Sequence, residues 1–243
     1  DDYGGLAAGE SGKPESWVVI AAEEGAGIFI GFAAGVQEKD VASALDAGGA
    51  LEPLLHFVPV APGDFFLIEA GTPHAIGAGV MLVEPQHVVP GKRGVTYRYW
   101  DWDRRYDDHG RSDPRGTPRP LHRNHALAVT RWDDPREEAL LGAIRLRAEA
   151  FDVGRGAYVE PLCGSNGLVS EWFDVCRVTG SGTCVLEPTD RLRGITVVGG
   201  SVVARTNAGQ VSITAGRSAV VPACAERLEL ELAGAHALVC SVM

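Results

Sequence analysis

In FLIEAGTPHAIGAG, residues 66–79, an apolar run ends in a turn that presents a histidine, His74, between small residues. Imidazole is the commonest protein ligand for transition metals and titrates near neutral pH, so its setting decides its use. Gly71 permits a sharp backbone turn and Pro73 stiffens it, while Ala75 and Gly77 leave the ring room to reach a cation. A second candidate stands in GKPESW, residues 12–17, where Glu15 opens an apolar strand. An inward-facing carboxylate there is costly unless something shares its charge. A metal ion held by both Glu15 and a histidine on a facing strand removes that cost and brings Lewis-acid chemistry. Each residue also has an ordinary use, His74 as a satisfied loop side chain and Glu15 as an exposed strand-start residue.

The elements that must position these groups are short. Ser16–Phe32 reads as two strands joined by a Glu-Gly turn. A helical pattern follows over about 37–56, with Val41, Ala44 and Leu45 on one face and Leu51, Leu54 and Leu55 in a second short turn after Gly48-Gly49. Strand patterns resume at Phe57–Val60, Phe65–Glu69 and Val80–Glu84. The stretch 101–123 is charged, contains proline and glycine, is poor in aliphatics, and reads as a linker. A second β-rich segment begins near residue 125, with its strongest strands at Gly194–Val203, Val211–Ile213, Ser218–Val221 and His236–Val242. The two halves contain a weak repeat. With APGDFFLIEAGTPH, residues 61–74, set above TAGRSAVVPACAER, residues 214–227, Gly63 matches Gly216 and Phe65–Ile68 matches Ser218–Val221. His74 then falls opposite Arg227, so the second copy has the scaffold pattern without a ligand type at that place.

Composition narrows the function classes. A chain of 243 residues with 45% hydrophobic residues can bury a sizeable core, and 31 glycines suit many short elements joined by tight turns. The net charge of −10 argues against nucleic acid or an anionic membrane as partner, though a few local cations can still hold a small phosphate. No apolar run is long enough for a membrane span, and no signal peptide is visible at DDYGGLAAGE. The absence of an initial methionine suggests that the chain starts inside a longer protein. The five cysteines, Cys163, Cys176, Cys184, Cys224 and Cys240, form no CxxC pair and read as free thiols in a reducing cytoplasm.

From Gly63 to His74 the spacing G-x5-E-A-G-x2-H resembles that of cupin-type jelly-roll barrels, which aim a histidine into the barrel mouth. Cupins usually carry proline where Glu69 sits and asparagine where Ala78 sits. GKPESW, VPVAPGDFFLIEAGTPHAIGAGVMLVEPQ and TYRYWDWDRR, in that order, resemble the signature segments of class I mannose-6-phosphate isomerase. The resemblance implies a mainly β fold of two cupin-type jelly-roll domains with a helical insertion in the first. It places a metal-binding cupin domain, N-terminally incomplete, at 1–105, a linker at 106–124, and a second cupin-like domain without metal ligands at 125–243. The family binds zinc through a glutamine and histidine of a Q-x-H-P motif, the glutamate of GK-x-E and the histidine of GT-x-HA. The last two carry over onto Glu15 and His74; Q-x-H-P does not occur in this sequence. Between Glu84 and Arg98 the link EPQHVVPGKRGVTYR is four residues longer than in many members.

The implied reaction interconverts mannose 6-phosphate and fructose 6-phosphate through a cis-enediolate, with a small sugar phosphate as partner. Arg98 matches the family arginine opposite the metal and would stabilise the enediolate or seat the phosphate. Without the family match it reads as a strand-end arginine paired with Asp101 or Asp103. Lys13 would assist proton transfer or bind phosphate, and Glu84 would lie near the cleft, orienting Lys13 or Arg98. Tyr97, Tyr99, Trp100 and Trp102 read as packing for strand and linker, His87, His109, His122 and His125 as solvated, and Lys92-Arg93 as an exposed loop. A sugar-binding or regulatory cupin without turnover, and a metal cupin of other specificity, are the competing expectations.

Overall fold

The run WVVIAA after Glu15 is apolar at every position, the pattern of a strand covered on both faces. In the computed structural model, which describes residues 5–146, 149–164 and 167–242, it forms the strand Glu15–Ala22, buried continuously from Glu15 to Val19. The chain is mainly β and divides into two compact units, Asp1–Pro62 with Ile68–Ile144, and Gly63–Leu67 with Arg145–Met243. Among the described residues no helix is long and apolar enough to cross a membrane.

In the first unit, Glu15–Ala22 pairs antiparallel with Val80–Val83, in the register Val18↔Val83. Ladder contacts continue past the end of that partner strand. The Ser16 amide donates to Pro85 O and the His87 amide to Pro14 O, which holds Glu15 opposite Gln86. Gly27–Phe32 runs down the middle of a three-stranded sheet, between Leu55–Pro59 and His74–Ile76. Pairing of Ile30 with His74 fixes the height of the histidine along that sheet.

The expected helical stretch forms a nine-residue helix, Glu38–Asp46, and a short 3-10 turn, Glu52–Leu54. Gln37 and Asp40 cap its start reciprocally, and Gly48 and Gly49 end it by donating to the Leu45 and Ala44 carbonyls. Its buried residues Val41 and Leu45 join Phe32 and Leu51 in one apolar cluster. Tyr99, Trp100, Leu127 and Trp132 pack against that cluster, so the helix backs the segment that carries Arg98.

In the second unit, LELELA obeys a strict period of two. Leu228, Leu230 and Leu232 are buried, whereas Glu229 and Glu231 are not. The strand therefore starts at Leu228, eight residues before the expected His236, and pairs with Arg193–Thr206 along most of its length. Its other partners are Phe173–Gly180 and Thr183–Leu186. Ile195, Val197, Val202, Ile213, Leu228 and Leu230 lead the core. The two glycines aligned by the repeat, Gly63 and Gly216, share a left-handed backbone, with φ of +98° and +78°, each just before a strand. Arg227, opposite His74 in that alignment, is exposed and pairs with Glu229.

Candidate active site

The histidine turn is held from behind. Gly71 has φ of +92°, and a Cβ there would lie 2.6 Å from the Val129 carbonyl oxygen. The Arg131 amide donates to Gly71 O, and Thr72 Oγ1 donates to Asp134 Oδ2 at 3.0 Å. Asp134 is itself paired with Arg131 at 2.9 Å. On the other side of the turn, the Gly31 amide donates to Pro73 O at 2.8 Å.

That turn sets the tautomer of the imidazole. His74 Nδ1 lies 2.7 Å from the Thr72 carbonyl oxygen, which can only accept, so Nδ1 carries the proton. Nε2 then faces Glu15 Oε2 at 3.4 Å, with the Trp17 ring edge-on at 5.2 Å. Glu15 is 5% exposed and also receives the Lys13 ammonium, itself 13% exposed. Burial opposes the Glu15 charge, but the contacts with His74 and Lys13 outweigh it and hold the carboxyl below its usual range. Burial likewise opposes charge on His74, and the Glu15 carboxylate outweighs it and raises the imidazole pKa. Glu84 behaves in the opposite way. Its own burial and the neighbouring Glu15 push its carboxyl up, against the Trp17 indole N–H that donates to it at 2.8 Å.

The pair passes a simple test for a metal. Two ligands bonded to tetrahedral zinc at about 2.0–2.1 Å lie roughly 3.3 Å apart. Glu15 Oε2 and His74 Nε2 are separated by 3.4 Å, and the ring nitrogen that faces the carboxylate is the one without the backbone bond. They fit one edge of such a centre. Among the described residues no group of three or more His, Cys, Asp or Glu is arranged to hold a metal, so the fit extends to these two ligands.

Lys13, Glu15, His74 and Arg98 line one pocket of about 910 Å³ in the first unit. Lys13 and His74 both reach Glu15; Arg98 lines the same pocket and is bonded to none of the three. The backbone of Arg98 is fixed from both sides by His122, whose Nδ1 accepts from Arg98 N at 3.4 Å and whose amide donates to Arg98 O at 2.8 Å. Tyr97 stacks on His125 with ring centroids 4.9 Å apart. His125 is exposed, as the sequence reading has it, and His122 is half-buried behind the Arg98 backbone. Tyr97, Tyr99, Trp100 and Trp102 line the pocket as well as packing the segment. Lys92 and Arg93 are exposed, as expected.

Asp101, one of the two aspartates expected to pair with Arg98, is engaged elsewhere. Asp101 accepts from Arg119 Nε at 2.7 Å and from Arg104 Nη2 at 2.6 Å. The roles of Thr72, Asp134, Arg104 and Arg119 are absent from the sequence reading. Asp134 lies 62 residues from Thr72, and Arg119 lies within a stretch whose composition reads as linker.

Asp101 makes a pH prediction. Its side chain is 7% exposed; burial opposes its charge, but Arg119 and Arg104 outweigh that and lower its pKa. A group depressed on folding adds stability above its unfolded pKa, about 3.9, and loses it as pH falls through the lower folded value. Asp101→Asn is expected to cost about 2 kcal/mol at pH 7, a modest figure because both arginines are partly exposed. Urea unfolding at pH 7 and pH 3 checks this, because the difference from the unaltered chain shrinks at the lower pH.

No family model matches the chain. Over 121 residues, half of this chain, it is 41% identical to mannose-6-phosphate isomerase of Streptococcus mutans. Over a stretch of the same length it is 36% identical to mannose-6-phosphate isomerase ManA of Bacillus subtilis. Each match covers 34% of the relative, so the chain spans about a third of the curated proteins it matches. The crystal structure of mannose 6-phosphate isomerase from Bacillus subtilis superposes with a TM-score of 0.72 at 21% identity, covering 94% of this chain and 64% of that one. The apo mannose 6-phosphate isomerase from Salmonella typhimurium gives a TM-score of 0.57 at 13% identity, covering 96% and 67%. At these identities the superpositions establish the fold, the mainly β cupin fold. The chain is thus similar to mannose-6-phosphate isomerases by sequence over half its length, and to them in fold over nearly all of it.

Proposed function

We propose that this chain carries the active site of an aldose–ketose isomerase that interconverts mannose 6-phosphate and fructose 6-phosphate. The observation that carries the reading is the contact of Lys13 and His74 with the buried Glu15 carboxylate. It lies in a pocket shared with Arg98, in a chain whose named relatives are mannose-6-phosphate isomerases. Glu15 and His74 would hold zinc, which when bound supplies Lewis-acid stabilisation of negative charge on O1 and O2 of the open-chain sugar.

The remaining chemistry falls to the chain's own side chains. Isomerisation removes the proton from C2 and delivers one to C1 through a cis-enediolate. Two groups beside the proposed metal ligands are placed to move a proton: Lys13, held against Glu15, and Glu84, which lines the same pocket. Arg98, with no hydrogen bond or ion pair to its guanidinium among the described residues, is available to an anionic group of the substrate. Tyr97, Trp100 and Trp102 line the wall and shield the open-chain sugar from water. Five free cysteines agree with a reducing, cytoplasmic setting.

The test is formation of fructose 6-phosphate from mannose 6-phosphate by this chain, with and without added zinc, together with deuterium uptake at C1 and C2 in D2O. Zinc-dependent turnover with label at carbon is the expected result. Tight zinc binding without turnover would overturn it in favour of a metal cupin of other specificity. The two-ligand site also favours a second reading, a sugar-binding cupin, which predicts saturable sugar binding with no label at carbon.

A further inference from the structure

The positive groups of the pocket are unevenly matched. Arg98, Arg104 and Arg119 line it, and Asp101 is the carboxylate that Arg104 and Arg119 share. Arg119 uses Nε and Nη2 on the two Asp101 oxygens, at 2.7 and 2.5 Å, and its Nη1 makes no hydrogen bond among the described residues. Arg104 uses Nη2 on Asp101 Oδ1 and Nε on the Asp101 carbonyl, which likewise leaves Nη1. Arg98 contributes its whole guanidinium. Trp102 and Tyr106 stack beneath Arg104 and Arg119, with the guanidinium carbons 5.7 and 5.2 Å from the ring centroids, so both planes are held in place. One carboxylate thus orients two guanidinium forks and neutralises one of three positive charges, in a protein whose net charge is −10.

A dianion completes that arrangement. We infer that Arg119 and Arg104, braced by Asp101, form with Arg98 the seat for the phosphoryl group of a phosphorylated sugar. Arg119 is the phosphoryl contact that family spacing does not identify, and Asp101 is a positioning residue that never touches the ligand. The inference rests on the proposed function for the sugar and on the guanidinium geometry for the phosphoryl group. Phosphate accepts planar N–H donors from several directions at once, which suits three unsaturated guanidinium groups better than a single carboxylate does.

Calorimetric titration of the whole chain with inorganic phosphate, mannose 6-phosphate and unphosphorylated mannose tests it. Arg119→Ala is expected to weaken phosphate and mannose 6-phosphate binding by about tenfold or more, while mannose binding is unchanged. Arg119→Lys, which retains charge but loses the fork, should recover part of that loss. Asp101→Asn, folded at pH 7 by circular dichroism, should weaken phosphate binding less than Arg119→Ala does. Absence of phosphate binding by the unaltered chain overturns the inference, as does undiminished affinity in a folded Arg119→Ala variant. An equal loss for mannose also overturns it, since that marks a general packing role. Phosphate binding that depends on Arg119 in a chain without isomerase turnover would sink the proposed function and leave the phosphoryl seat standing. Turnover with an indifferent Arg119 would do the reverse.

Discussion

Glu15→Gln is expected to weaken zinc binding by more than about a hundredfold, because it removes one of the two proposed ligands and replaces an anion with a neutral amide. The amide fills nearly the same volume, so the effect is electrostatic and not one of packing. Lys13, 13% exposed, loses the carboxylate that balances its ammonium. The cost of leaving a mostly buried charge unpaired is about 1–3 kcal/mol, set against some relief from burying one carboxylate fewer. Zinc affinity by chelator competition, with urea unfolding on the same variant, separates the two effects. Near-native zinc affinity would show that the metal is held elsewhere. The proposed isomerase turnover is expected to fall with zinc occupancy and to recover partly at high zinc.

The second large effect belongs to Gly71→Ala. The φ of +92° disfavours any side chain, and the new Cβ would sit 2.6 Å from the Val129 carbonyl oxygen and 3.0 Å from Arg131 Cγ. Backbone cannot swing aside as a side-chain tip can, so the turn itself must move. Strain and displacement together are expected to cost about 3 kcal/mol, a fall in melting temperature of roughly 6–12 °C for a chain of this size. The same movement carries Thr72 and Pro73 with it, and with them the carbonyl that sets the His74 tautomer and the amide link to Gly31. Zinc affinity should therefore fall along with stability. Thermal melting paired with chelator competition measures both, and a stable variant with intact zinc affinity would show that the turn does not hold His74 in place.

Much of the site is legible along the chain because the chemistry is local there. Lys13 and Glu15 are two residues apart, and GTPHAIG states its turn glycine, its stiffening proline and its histidine in seven letters. Strands are legible for the same reason: the apolar run after Glu15 and the alternation of LELEL each specify burial by pattern alone. Where the reading starts the last strand late, at His236, Gly234 with its φ of +55° interrupts a ladder that nevertheless pairs on both sides of it.

Residue types and short spacings alone determine which groups can do chemistry here: a carboxylate with its lysine, a histidine on a glycine turn, and an arginine near two aspartates. Tertiary structure decides how those groups are used. It brings His74 Nε2 to 3.4 Å from Glu15 across 59 residues of chain and raises the Glu84 carboxyl through burial and that same Glu15. It also assigns Asp101 to Arg104 and Arg119, which leaves Arg98 unpaired among the described residues. The reason is physical. Periodicity records which face of an element is buried, whereas pairing of charges depends on distances of a few ångströms between segments that only folding brings together.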